Sequence, residues 1–291
     1  VEVALMLDVT GSMAGTKIAD LKVAATKLVQ NLISDATPDR VRIALVPFSE
    51  GVRLPSSANS KARGNPADSI TVGSGRNATT YSRTDCVVER TGTNKYTDVA
   101  PGSGKYVTAL YKTNSWFGSA CNLSTNEELL PLSKNRTTLL NRIDKLQTSG
   151  MTAGHLGTAW AWYVLSPNWN SLWSSASAAA AYGAKVQKIA ILMTDGAYNM
   201  QYASNGIEAS ESGAANGASA AQAKSLCTNM KAKGITVYTV GFALGGDQNA
   251  ISTLAHCASD PEKAYVAETG FELQQVYKEI ALKISPLYLS H

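Results

Sequence analysis

The first eighteen residues, VEVALMLDVTGSMAGTKI, constrain the fold more than any other part of the chain. Val3 to Leu7 form an unbroken apolar run, the mark of a parallel strand buried on both faces. The run stops at Asp8-Val9-Thr10-Gly11-Ser12-Met13. A helical pattern follows over about residues 16–34, with Ile18, Leu21, Ala25, Leu28 and Leu32 on one face and Pro38 beyond its end. Open α/β sheets collect their ligands beyond the carboxyl ends of the strands. Asp8, Thr10 and Ser12 stand there at alternate positions of a Gly-containing turn. They are hard oxygen donors, suited to Mg²⁺, Ca²⁺ or Mn²⁺ and not to a thiolate-seeking metal. Two readings of the turn are open at this level: a cation site, or Asp8 and Ser12 capping the helix.

The rest of the chain extends the same plan. Residues 41–48 (VRIALVPF) read as a second buried strand, which makes the first unit a right-handed crossover between parallel strands. Residues 186–193 and 235–242 are two more apolar runs, and residues 264–267 a short strand. Helical patterns cover residues 220–233, 247–257 and 271–284, with Gly234 ending the first of these. Residues 128–132 (ELLPL) contain Pro131, which places them at a sheet edge. Following the chain from rim to rim makes that edge strand antiparallel to its neighbour. Ser133 reads as the N-cap of a helix to Gln147, and a second helix spans about residues 155–165. Trp160 and Trp162 cannot share one face of it, so one belongs in the core and the other nearer the surface. The expected fold is α/β, a doubly wound, mostly parallel sheet with one antiparallel edge strand.

Between the second strand and the edge strand the composition changes. Residues 49–126 are rich in Gly, Ser, Thr and Asn, and too long for a structureless loop in a compact domain. They read as an insertion of short strands or turns in a main domain made of residues 1–48 and 127–291. Both connections place it at the rim that carries Asp8, where it is expected to help choose a partner. The four cysteines, Cys86, Cys121, Cys227 and Cys257, are not spaced as zinc ligands. Two local disulfides in an oxidising compartment are expected, 86 with 121 and 227 with 257; four buried free thiols is the alternative.

Composition narrows the function. A net charge of +4 with no Lys/Arg run argues against nucleic acid. No apolar stretch reaches the roughly 20 residues needed to span a bilayer. Histidines 155, 256 and 291 are scattered, no general base has a clear partner, and Gly-x-Ser-x-Gly and Gly-Lys-Ser/Thr motifs are absent. The expectation is therefore a protein without catalytic residues. The sequons at Asn77, Asn122 and Asn135 read as chance.

A second carboxylate, Asp195, ends the run at residues 186–193 in Thr194-Asp195-Gly196, and Thr152 lies in a polar turn between two helices. If the strands before Asp8 and Asp195 are neighbours, a crevice opens at their reversal point. The pattern Asp8-x-Thr10-x-Ser12 with distant Thr152 and Asp195 resembles the metal-ion-dependent adhesion site of von Willebrand factor type A domains. The resemblance implies a Rossmann-like fold and a divalent cation, Mg²⁺ first, with Mn²⁺ or Ca²⁺ as alternatives. Ser12, Thr10 and Thr152 would supply hydroxyls, and Asp8 and Asp195 would act directly or through water. Thr10 stands where the family often has Ser, and keeps the hydroxyl.

Leu130-Pro131-Leu132-Ser133, residues 151–157, Trp160-Ala161-Trp162, Leu165-Ser166-Pro167 and residues 191–196 are further similar to TadG-type proteins of Flp (tight-adherence) pilus assembly. That resemblance implies an extracytoplasmic module, anchored only by a membrane helix upstream of Val1. Its partner would be a pilus component, or a host or surface ligand that offers an acidic side chain. The alternatives are a structural pilus subunit whose cation only stabilises loops, and a metal-dependent hydrolase.

Overall fold

The computed structural model describes residues 1–34, 39–113 and 121–289. Pro38 and His291 lie outside the described residues. In chain order, β1 (Glu2–Asp8) leads through α1 (Thr16–Leu32) to β2 (Arg42–Phe48). Next come β3 (Val52–Arg53), α2 (Ser56–Arg63), β4 (Ser69–Val72), β5 (Thr79–Val87) and β6 (Ala109–Thr113). Then follow β7 (Leu130–Ser133), α3 (Arg136–Lys145), α4 (Gly154–Tyr163) and β8 (Lys188–Thr194). The hairpin β9 (Gln201–Tyr202) and β10 (Glu208–Ala209) precedes α5 (Ser219–Ala232) and β11 (Thr236–Phe242). The chain closes with α6 (Gln248–Cys257), β12 (Ala264–Ala267) and α7 (Gly270–Leu289).

The main sheet has the order β12-β11-β8-β1-β2-β7. All its pairs are parallel except β2 with β7, the antiparallel edge that Pro131 marks. All seven residues of β1 are buried, which is why it reads as an unbroken apolar run rather than an alternation. Leu5 lies between Leu45 and Ile191 on the flanking strands, so truncating it to Ala would cost about 2–5 kcal/mol. On one side α1 packs on α3 and α7; on the other α4 packs on the sheet and on α5, which in turn meets α6.

The helix α4 is buried along all ten residues. Trp160 and Trp162 are each only 1% exposed, so the expected split between core and surface does not occur. A helix between a sheet and a second helix layer has no solvent face, and the indole N–H of Trp162 finds the Tyr182 hydroxyl at 3.1 Å. Trp169 and Tyr163 stack at 4.0 Å, and the Arg90 guanidinium lies 4.7 Å from the Trp169 ring centre. A second difference concerns α3. Its N-cap is Asn135, whose side chain accepts from the Thr138 N–H, while Ser133 ends β7 and accepts from the Asn135 N–H. Asn and Ser cap about equally well, so composition could not choose between them.

Residues 49–126 hold more structure than short strands and turns. β3, β4, β5 and β6 form a four-stranded antiparallel sheet around the nine-residue β5, and α2 adds a helix. Val52, Leu54, Ala58, Val87 and Leu110 belong to the same hydrophobic core as β1 and β8. The disulfides are Cys86–Cys121 and Cys227–Cys257, closing separations of 35 and 30 residues. They place the chain in an oxidising compartment. Among the described residues no helix is long and apolar enough to cross a membrane.

Candidate metal centre

β1 and β8 are neighbours, so Asp8 and Asp195 meet at one strand-end crevice. Asp8 is fully buried. One of its oxygens accepts from the Thr10 N–H at 3.0 Å and the Thr10 hydroxyl at 2.6 Å. The other accepts from the Thr194 hydroxyl at 2.7 Å and the Asp195 N–H at 3.4 Å. The Thr10 hydroxyl lies 3.0 Å from that of Ser12, which donates to Asp195 Oδ1 at 2.7 Å. Four of the five residues singled out in the sequence are thus joined in one hydrogen-bonded chain. No side-chain bond of Ser12 or Asp8 caps α1, whose N-cap is Gly15 at φ +79°.

Thr152 joins the group through its turn. The Gly11 N–H donates to the Gly150 carbonyl at 2.8 Å, and the Ser149 N–H to that of Val9 at 2.9 Å. Ser49, just past β2, fastens the same turn from the other side: its carbonyl accepts from the Ala153 N–H at 3.0 Å and its hydroxyl donates to Ser149. Gly150, at φ +80°, is required there, since a Cβ would lie 2.4 Å from the Ser49 hydroxyl. The Thr152 N–H and C=O are taken by Asn199, at 3.0 and 2.9 Å.

Burial, and then the neighbouring Asp195 carboxylate, push Asp8 up to about 6, against the hydrogen bonds from Thr10 and Thr194 that lower it. Such a desolvated carboxylate pair is what a divalent cation would relieve. The donor set fits one of the hard kind: two carboxylates and three hydroxyls, all oxygen. Among the described residues no group of three or more His, Cys, Asp or Glu side chains is placed to hold a metal ion, so a cation at this crevice would depend on the hydroxyls.

Three residues at the site were not singled out in the sequence. The Lys17 ammonium donates to Asp195 Oδ2 at 2.8 Å. A lysine in the first turn of a helix opposes the helix dipole, the one sequence signal that it has an anionic partner nearby. Tyr198 packs where any side chain on Gly154 would sit, 2.0 Å from its Cβ position, and its hydroxyl is held neutral first by burial and then by Asp8. Asn199 holds Thr152, and it also lines a groove of about 810 Å³ whose other walls include Tyr81, Lys112, Asn122, Gln201 and Glu208. That groove lies between β6 and the β9–β10 hairpin. Met151, beside Thr152, is 45% exposed.

His155 is fully buried, between the Ser219 hydroxyl at 2.6 Å and the Glu89 carboxylate at 3.1 Å. It packs inside the molecule, away from solvent.

No curated protein matches the sequence. Similar solved structures include the vWF domain of the type V pili tip protein Mfa5 from Porphyromonas gingivalis, at 14% identity and TM-score 0.56, over 98% of this chain and 94% of that one. The PilB minor pilin of Streptococcus sanguinis, as its D319A mutant, matches at 14% identity and TM-score 0.54, over 99% of this chain and 62% of that one. The pilus adhesin SpaC of Lactobacillus rhamnosus GG matches at 11% identity and TM-score 0.52, over 98% of this chain and 30% of that one. At these identities the likeness is one of fold. Residues 122–279, more than half of the chain and including Thr152 and Asp195, match the von Willebrand factor type A domain. The chain belongs to the von Willebrand factor type A domain family.

Proposed function

We propose that this protein is an extracytoplasmic adhesion or assembly module that binds a protein partner through one divalent cation, Mg²⁺ first. Asp8, Thr10, Ser12, Thr152 and Asp195 would hold it. The observation that carries the reading is the continuous chain of oxygens from Asp8 through Thr10 and Ser12 to Asp195, with the Thr152 turn fastened to it. When bound, the cation supplies an electrophilic point for an acidic side chain of the partner. The residues of the chain do the rest. Thr10 and Thr194 hold the Asp8 carboxylate in place, Asn199 fixes Thr152, and Tyr198 packs on Gly154 beside them.

The partner belongs to a pilus, in Flp (tight-adherence) pilus assembly, or is a ligand on a host or other surface. Supporting this are the segments similar to TadG-type proteins and the pilus proteins that share the fold. Residues 49–126 act as a rim subdomain that helps select the partner, since the groove between β6 and the β9–β10 hairpin reaches Asn199. The two disulfides agree with an extracytoplasmic place.

Capture from pilus-bearing cells tests the reading. Partner binding is expected to disappear on chelation and to return with Mg²⁺, while circular dichroism shows the fold unchanged. Binding that survives both chelation and Asp8→Ala would reject a cation-mediated contact and leave a purely stabilising cation.

A further inference from the structure

Among the described residues, Lys17 is the basic side chain bonded to a carboxylate of the crevice, that of Asp195. Asp195 divides its two oxygens. Oδ1 accepts from Ser12, inside the chain of donors, and Oδ2 accepts from Lys17, on the side of α1. The Asp195 side chain is buried, whereas that of Lys17 is 29% exposed. The ammonium can therefore keep Oδ2 while Oδ1 and the hydroxyls serve another ligand.

We infer that Lys17 is a built-in counter-charge that sets the electrostatic balance of the crevice, weakening its hold on a divalent cation and strengthening the loaded site's hold on an anionic partner. The inference rests on the proposed metal site. With Asp8 and Asp195 ionised and Lys17 charged, the crevice carries one net negative charge, and a divalent cation turns this to one net positive. Without Lys17 the same crevice would carry two negative charges and, once loaded, none. A neutral loaded site attracts a carboxylate less, and an emptier, more negative one attracts the cation more. Lys17 thus gives up cation affinity for affinity to the partner. A lysine that only propped Asp195 in position would move both affinities in the same direction.

The test uses Mn²⁺ as the metal probe and acetate as the carboxylate probe, by titration calorimetry on the chelated and the Mn²⁺-loaded protein. Lys17→Met is expected to bind Mn²⁺ roughly tenfold more tightly and, once loaded, to bind acetate at least about threefold more weakly. Lys17→Arg, which keeps the charge, is expected to stay near wild type in both. Lys22→Met, which removes a charge further along α1, serves as the control for overall charge and should also stay near wild type. Unchanged Mn²⁺ affinity in Lys17→Met, or affinities for both probes falling together, would overturn the inference and leave the metal site standing. No Mn²⁺ binding by the wild type would overturn the metal site itself and this inference with it.

Discussion

His155 Nε2 of α4 lies 3.1 Å from the Glu89 carboxylate, which belongs to the segment between β2 and β7. Both side chains are almost wholly buried, and the second Glu89 oxygen accepts from the Tyr202 N–H at 3.1 Å. Glu89 therefore ties α4 to the β9–β10 hairpin, from a place 66 residues before the histidine. Removing it leaves a buried imidazole and a buried N–H without their acceptor. Glu89→Ala is expected to cost about 2–4 kcal/mol of stability. Urea denaturation measures it, and a loss below about 0.5 kcal/mol, the range of an ordinary surface change, would contradict the coupling.

Asp8 sets a pH dependence. Its carboxyl titrates at about 6 in the folded protein, against a reference value of 3.8. The folded state therefore binds the extra proton between these values, and stability contributed by the protonated form is lost as pH rises through that window. In chelator, the protein should be less stable at pH 7 than at pH 5, by about 1.3 kcal/mol from this group. Thermal melts at the two pH values check it. The difference attributable to Asp8 should vanish in Asp8→Ala, and saturating Mg²⁺ should offset it in the wild type.

The disulfide between α5 and the end of α6 lies on the sheet face away from α1, with the Cα atoms of Cys227 and Cys257 5.0 Å apart. Its closed loop is worth about 3–4 kcal/mol in the chain-entropy account. The double variant Cys227→Ala/Cys257→Ala should lose that stability in urea yet bind Mg²⁺ as the wild type does. Lost metal affinity in a variant that is still folded would contradict the separation of the two features.

Gly154 has no room for a side chain, because the Tyr198 ring occupies the place of its Cβ. Gly154→Ala must displace Tyr198 or the start of α4, at about 1–3 kcal/mol. Since Asn199 follows Tyr198 and holds Thr152, metal affinity should fall along with stability. Calorimetry on the variant that keeps affinity at the wild-type level would show that Tyr198 and the Thr152 turn are independent.

The parts legible in the sequence were those whose signal is local. β1, β2, β8 and β11 are continuous apolar runs because helices cover both faces of the sheet, and β7 shows its edge place through Pro131. Asp8, Thr10 and Ser12 share one turn, and the parallel pairing of β1 with β8 delivers Asp195 to it. What the sequence concealed depends on long-range packing. Trp162 sits on the face opposite Trp160, and what makes that face interior is distant in sequence, as Tyr182 taking its indole N–H shows. β5 carries Thr, Ser and Arg along a half-exposed sheet, so its nine residues show no apolar run. Lys17 and Tyr198 reach the crevice from one helix turn and one loop, through contacts that no spacing announces.

Titration of Mg²⁺ into the chelated protein tests the central claim most directly. One site is expected in the wild type, lost in Asp8→Ala and weakened in Thr152→Ala, because Asp8 anchors the chain of donors and Thr152 adds one hydroxyl to it. Asp8→Ala that is folded and binds Mg²⁺ as tightly as the wild type would contradict the account.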